Sequence, residues 1–274
     1  MIPAAIRRLF GGRSGGARVP RIDFAAESRC GFVRGDNQDS YLALPEANVF
    51  CVADGMGGGQ GGAVASKMAC DAVADAVAAA TPDAPFAARI KAIADAVERA
   101  NRDIFRYAAD AGYEHMATTL AGLAVDPSAR EKGAPFEAAA FHAGDSRIYR
   151  FRSGRMERLT TDHTLAEDAE MLRRRNISLA PANAMLRRTR LSHVLTRGVG
   201  IDAETHQEWK KIDVLHGDMY LLCSDGVYDM VPDDSIRFAF ALGREPQNVV
   251  EILTRKIEAA GAKDNFTMVV AAVS

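Results

Sequence analysis

The chain has 274 residues, of which 48% are hydrophobic, and its 34 Lys and Arg nearly balance 36 Asp and Glu, a formal net charge of −2. That composition supports one large domain with a sizeable core and excludes the strongly basic profile of a nucleic-acid or anionic-membrane partner. No apolar run reaches the roughly 20 residues of a membrane span, and the four cysteines, Cys30, Cys51, Cys70 and Cys223, lie far apart and mostly in apolar runs. They read as buried thiols in a reducing compartment, which makes the cytoplasm the expected location.

Residues 1–21 combine glycine pairs with Arg7, Arg8, Arg13 and Arg18. A flexible basic tail is expected there, with one helical turn at 4–10. It lacks the apolar stretch of a secretory leader, and Ile2 is incompatible with N-myristoylation. The remainder, 22–274, reads as a single domain. Strands are expected across 22–53: Ile22 and Phe24, then Gly31, Phe32 and Val33, lead into a polar connector, Arg34-Gly35-Asp36-Asn37-Gln38-Asp39, followed by a strand at 40–44. The run 49–53 has the length and β-branched content of a buried strand. It ends in Asp54 and dissolves into glycine through Gly62, where a missing Cβ lets backbone approach a ligand.

Two long helices follow. Val64, Met68, Val73 and Val77 share one helical face; Pro82 and Pro85 interrupt it; Phe86, Ile90, Ile93, Val97 and Ile104 mark the second. Strands resume at 117–125, 136–143 and 148–151, with the turn Gly144-Asp145-Ser146-Arg147 between the last two, and Ser153-Gly154 forms a hairpin turn before 156–159. Residues 160–193 lose strand character and carry Arg173, Arg174, Arg175, Arg187, Arg188 and Arg190; a segment of that length suits a lid or binding element, or a solvated basic face. An apolar strand at 218–223 then meets Ser224-Asp225-Gly226. Helices are expected at 233–241 and 246–259, the second with proline in its first turn, and Asp264-Asn265 precedes a last strand, 266–273.

Asp54, Asp145, Asp225 and Asp264 thus each stand at the end of a buried-looking strand, with Asp39 a fifth candidate. A packed sheet brings neighbouring strand ends together, and two carboxylates about 4 Å apart repel by roughly 4 kcal/mol at an effective dielectric near 20. Several such groups stay ionised at neutral pH only with cations between them. An all-oxygen donor set selects Mg²⁺ or Mn²⁺ over Zn²⁺, and a pair of such ions suits phosphoryl transfer to an activated water. Arg34 is the best-placed group to grip phosphate oxygens bidentately.

In order, Arg34-Gly35-Asp36-Asn37-Gln38-Asp39, Val52-Ala53-Asp54-Gly55-Met56-Gly57-Gly58, Thr118-Thr119, Gly144-Asp145-Ser146-Arg147, Cys223-Ser224-Asp225-Gly226 and Asp264-Asn265 form a series that resembles the motifs of metal-dependent protein phosphatases of the protein phosphatase 2C type. The resemblance runs from about residue 22 to the C-terminus. It implies an α+β fold, a four-layer α-β-β-α sandwich of two antiparallel sheets packed face to face and flanked by antiparallel helix pairs. It implies hydrolysis of phosphoserine and phosphothreonine in proteins, the expected partners being substrates of a Ser/Thr kinase; a monomer is expected. Position by position, Asp54 resembles the ligand bridging two Mn²⁺ or Mg²⁺ ions, with the Gly55 carbonyl as a further ligand. Asp225 and Asp264 resemble ligands of one ion of that pair. Asp39 resembles the residue that orients metal-bound water, and Asp145 with Asp225 resembles the ligand set of a third, weaker ion. Arg34 would hold the phosphate, Thr118 and Thr119 would shape the sheet beneath, and the arginine-bearing segment at about 163–192 resembles the variable flap that borders the site. The chain departs from the family's animal members at Met56, where those have the histidine proposed as general acid, and at Gln38, where those have glutamate.

Other classes fit less well. A haloacid-dehalogenase-type nucleophile needs a second aspartate two residues on, and Asp54-Gly55-Met56 lacks it. A phosphate-cradling nucleotide loop needs Gly-Lys before Ser or Thr, and 57–62 contains no lysine. A regulatory module that binds phosphoprotein with weak or no turnover is the rival from another class, and the full set of aspartates is more than such a module requires.

Overall fold

A computed structural model describes residues 20–58, 60–81, 83–113, 115–128, 134–168 and 194–274. Most of the basic tail expected at 1–21, the loop around Arg130–Gly133 and most of the flap expected at 163–192, with all six of its arginines, lie outside the described residues.

Two antiparallel sheets form the centre. One joins β1 (Ile22–Arg29), β11 (Phe266–Val273), β10 (Met219–Cys223), β7 (Arg147–Arg152) and β8 (Arg155–Arg158) in that spatial order; the other joins β2 (Asp39–Leu44), β3 (Val49–Met56), β5 (Leu120–Val125), β6 (Phe136–Ala143) and β9 (Glu208–Val214), with the short β4 (Ala117–Thr118) paired to β3. Alternation places β3 between two cores. Phe50 and Val52 join Leu123, Ala140, Tyr220, Leu222 and Val269 in the layer shared by the sheets. Val49, Cys51 and Ala53 face outward onto α1 (Gly61–Ala79) and α2 (Phe86–Ala111), where they meet Ala69, Val73, Ile93 and Val97. On the far side, Leu221, Cys223, Met268 and Val270 pack against α4 (Asp233–Gly243) and α5 (Pro246–Ala259), through Ile236, Phe240, Val250 and Leu253. A one-turn helix, α3 (Asp225–Tyr228), links β10 to this pair. The expected four layers are therefore present, each helix pair supplying the apolar stripe that covers one outer sheet face.

Three local expectations change. Gly31, Phe32 and Val33 form a turn, not strand, because Asn265 holds the loop: its Nδ2 donates to the carbonyls of Cys30 and Asp36. The strand expected over 117–125 breaks at Thr119, whose hydroxyl accepts from the Asp54 N–H in place of a regular ladder bond. Strand β9 is one that periodicity did not indicate; it lies at a sheet edge, beside β6, and most of its side chains are solvated. Cys51, Cys70 and Cys223 are buried thiols, as expected, while Cys30 is half-buried. No helix among the described residues is long and apolar enough to cross a membrane.

Candidate active site

The sheets open at one end. There β3 finishes, β2 and β11 begin, and the turns after β6 and β10 emerge, so the residues just beyond these strands share one cleft. It encloses about 450 Å³ and is lined by Arg34, Asp54, Gly55, Asp145, Asp225 and Asp264, together with Met56, Thr119, Leu195 and Asn265. Six of the seven candidates named from the sequence thus meet there. The seventh, Asp39, is buried directly behind, its Cα opposite that of Asp54 across the β2–β3 pair.

Each aspartate is fixed by the chain around it. The Asp54 N–H donates to Thr119 Oγ1 at 2.9 Å, its carbonyl accepts from Thr118 Oγ1 at 2.9 Å, and Thr119 Oγ1 lies 2.6 Å from Ser146 Oγ. The expectation that Thr118 and Thr119 shape the sheet beneath the site matches this geometry. Asp39 Oδ2 accepts from Ser224 Oγ at 2.8 Å, which ties β2 to the β10 terminus. Asp145 follows a turn clamped by His163: the His163 N–H donates to the Gly144 carbonyl at 3.1 Å, and the Gly144 N–H donates back to His163 Nδ1 at 3.2 Å. Tyr228 donates to the Asp145 carbonyl at 3.1 Å, and the Arg147 guanidinium lies 3.5 Å over the Tyr228 ring. Arg147 also grips Asp162 bidentately, at 3.0 and 2.6 Å.

The glycines after Asp54 and Asp225 serve packing. A Cβ on Gly55 would lie 2.0 Å from the Gly62 carbonyl oxygen, and one on Gly226 would lie 2.0 Å from the Asn265 carbonyl oxygen. The absent side chains let backbone meet backbone, and in doing so bring Asp54 to the start of α1 and Asp225 to Asp264-Asn265. Gly55 nonetheless also lines the cleft.

The electrostatics are those of crowded carboxylates. Burial pushes Asp39 up to about 6 against the opposing hydrogen bond from Ser224. Burial raises Asp54 well above the usual carboxylate range, and the negative charges of Asp39, Asp225 and Asp145 raise it further. Asp145 is pushed up to about 7, first by burial and then by Asp225 and Asp162. Among the described residues lining the cleft, Arg34 is the cationic side chain, and it donates to Asp264 Oδ2 at 2.7 Å. One Asp39 oxygen, Oδ1, is buried and accepts no hydrogen bond among the described residues. A buried orphan acceptor beside carboxylates held partly protonated is the environment a hard divalent cation with its waters would satisfy, so the residues present fit Mg²⁺ or Mn²⁺.

His163, Ser224, Asn265 and Tyr228 received no role from sequence reasoning. Ser224 and Asn265 are adjacent to named aspartates, a signal that was available; His163 and Tyr228 act through contacts that no local pattern reveals. His142, His163 and Glu208 also place three possible ligand atoms within 4.8 Å of one another. That cluster is closed by its own bonds: His163 Nδ1 is an acceptor, which leaves its proton on Nε2 beside Glu208, and Arg197 donates to Glu208 at 2.9 Å.

A four-layer sandwich with an aspartate-lined cleft at one end of its sheets is the architecture of the PPM class of protein phosphatases. The chain belongs to the protein phosphatase 2C family, whose model matches residues 34–256. It is 32% identical over 263 residues to the serine/threonine protein phosphatase PstP of Mycobacterium tuberculosis, an alignment covering 94% of this chain and 46% of that one. The chain thus spans about half the length of that relative. Its structure is similar to that of PppA, a key regulatory component of T6SS in Pseudomonas aeruginosa, with a TM-score of 0.79 at 28% identity over 93% of this chain and 99% of that one. It is also similar to the catalytic domain of PstP in complex with 2 manganese ions, with a TM-score of 0.73 at 29% identity over 93% and 99% of the two chains.

Proposed function

We propose that this protein hydrolyses phosphoserine and phosphothreonine in phosphorylated proteins, using divalent cations held by the cleft carboxylates. The observation that carries the reading is the convergence of Asp54, Asp145, Asp225 and Asp264 with Arg34 on one cleft. Family membership and the manganese complex of the PstP catalytic domain support it.

In this reading Asp54, the Gly55 carbonyl, Asp225 and Asp264 hold two cations, Mn²⁺ or Mg²⁺, and Asp145 with Asp225 holds a third, weaker one. When bound, the cations supply positive charge against the phosphoryl oxygens and lower the pKa of water to the neutral range, so that water can attack phosphorus directly. Arg34 positions the phosphate: its guanidinium carries N–H donors beyond the one given to Asp264, and its exposure leaves them reachable. Asp39 orients the attacking water through Oδ1, the atom left without a partner, while Ser224 fixes the other carboxylate oxygen and so the direction Oδ1 faces. Thr118 and Thr119 hold the Asp54 backbone so that its carboxylate does not follow substrate or ion. The Met56 thioether has no proton to give a leaving group. Action in the cytoplasm as a monomer is part of the same proposal.

The deciding experiment is hydrolysis of p-nitrophenyl phosphate and of a phosphothreonine peptide with Mn²⁺, before and after EDTA. Turnover of both that EDTA abolishes is expected. Phosphopeptide binding without turnover would establish the regulatory-module reading instead.

A further inference from the structure

Phe32 and Val33 are 67% and 70% exposed, more than any other large apolar side chain among the described residues. They sit side by side, immediately before Arg34. Singly exposed apolar residues are ordinary; the two most exposed ones adjoining the phosphate-gripping arginine are not scattered. Nor is the loop that carries them loose. The Phe32 N–H donates to the Ala262 carbonyl at 2.7 Å, Asn265 Nδ2 donates to the carbonyls of Cys30 at 2.8 Å and Asp36 at 2.9 Å, and Asn265 Oδ1 accepts from the Gln38 N–H at 2.9 Å. The backbone from 30 to 38 is thus fastened from behind by the segment that bears Asp264, and the two side chains are held out on a braced support. An apolar group pre-positioned in this way binds a partner without the entropy cost of ordering it first.

We propose that Phe32 and Val33 are a docking edge for the substrate polypeptide, taking an apolar side chain within one to three positions of the phosphorylated Ser or Thr. The inference rests on the phosphatase reading and specifies its substrate class. The spacing follows from chain geometry. Neighbouring Cα atoms lie about 3.8 Å apart, and an extended peptide advances about 3.3–3.6 Å per residue. A peptide whose phosphate is held by Arg34 therefore has residues one to three positions away within reach of Val33 and Phe32. Phe32 and Val33 directly precede Arg34, Gly35 and Asp36, which line the cleft, and that lining also includes the apolar groups of Met56 and Leu195. An acidic or heavily charged flank would meet apolar surface here and would leave Phe32 and Val33 in water.

The test uses the full chain with Mn²⁺ and two phosphothreonine peptides that differ only in flanking leucine or flanking aspartate. Rates are divided by the same protein's p-nitrophenyl phosphate rate. The unaltered protein should favour the leucine peptide by about 5-fold or more in kcat/KM, a fraction of what burying one large apolar side chain supplies. In Val33→Ser, and more so in Phe32→Ser with Val33→Ser, that ratio should fall toward one, chiefly through KM. Absence of any p-nitrophenyl phosphate turnover by the unaltered protein would sink the phosphatase reading itself. An active protein that does not prefer the leucine peptide, or variants that keep the full preference, would overturn the docking edge alone.

Discussion

Arg34 and Asp264 are 230 positions apart in the chain, and the arginine donates to the carboxylate at 2.7 Å across the mouth of the cleft. The group proposed to grip phosphate is therefore paired with a group proposed to hold a cation. Their side chains are 58% and 37% exposed, and pairs this open contribute at most about 1 kcal/mol. Arg34→Ala should leave thermal stability nearly unchanged, raise KM for phosphopeptide about 10-fold or more, and leave Mn²⁺ affinity equal or tighter in calorimetric titration, because a competitor for Asp264 is gone. Weaker Mn²⁺ binding with unchanged KM would reassign Arg34 to holding the carboxylate.

Asp225→Asn should abolish turnover and remove measurable Mn²⁺ binding while the protein stays folded. Asp225 contributes negative charge to Asp39, Asp54 and Asp145 alike. Its neutralisation should therefore raise the melting temperature of the metal-free protein. A folded variant that binds Mn²⁺ at the original stoichiometry would refute the assignment.

Asp145 makes a signed pH prediction. In the folded protein its carboxyl is pushed up to about 7, whereas an unfolded carboxyl ionises near pH 4. Between those values the folded state holds the extra proton, so this group makes the metal-free protein less stable as pH rises, by up to about 1.4 kcal/mol per pH unit. The penalty is absent below about pH 4 and complete above pH 7. Asp145→Asn should thus gain stability relative to the unaltered protein across that window in urea titrations with EDTA. An advantage that does not change with pH would contradict a raised carboxyl.

His163 has the opposite sign in an overlapping window. Burial and the neighbouring His142 push its ring down to about 4, while a free imidazole titrates near 6.5. The unfolded chain binds more protons between those values, so this group's contribution is lost as pH falls from 6.5 toward 4. Replacement with asparagine, whose amide oxygen can accept from the Gly144 N–H, should flatten that part of the difference curve. Persistence of the full slope in His163→Asn would place the titrating group elsewhere.

Arg147→Met tests the support beneath Asp145. The Arg147 and Asp162 side chains are 18% and 12% exposed, and the methionine leaves Asp162 largely buried without its bidentate partner. Arg158, at 3.3 Å, compensates only in part. A loss of about 3 kcal/mol in urea unfolding is expected. A loss below 1 kcal/mol would mean that Arg158 suffices.

Several elements were legible because their signals are local. The strands Phe136–Ala143 and Phe266–Val273, the helix Pro246–Ala259 and the two helices either side of Pro82 and Pro85 follow from periodicity and breakers within a few residues. The recurring aspartate at a strand end was visible in the same way. Phe32 and Val33 read as strand because they are apolar and follow one; what unmade that strand was the Asn265 side chain, 227 positions beyond the Gln38 N–H that it also accepts. Strand β9 escaped notice because an edge strand with solvated side chains carries little apolar alternation.

By itself, the order of residues determined which carboxylates could share a site, since a buried strand must end somewhere and an aspartate stood at each end. Only the tertiary structure decided how they are held: Ser224 on Asp39 from 185 positions away, His163 clamping Gly144, Arg34 turned onto Asp264. The physical reason is range. Propensity and periodicity act over a few residues, while these contacts exist only after two sheets have packed in register and brought distant strand ends to the same edge.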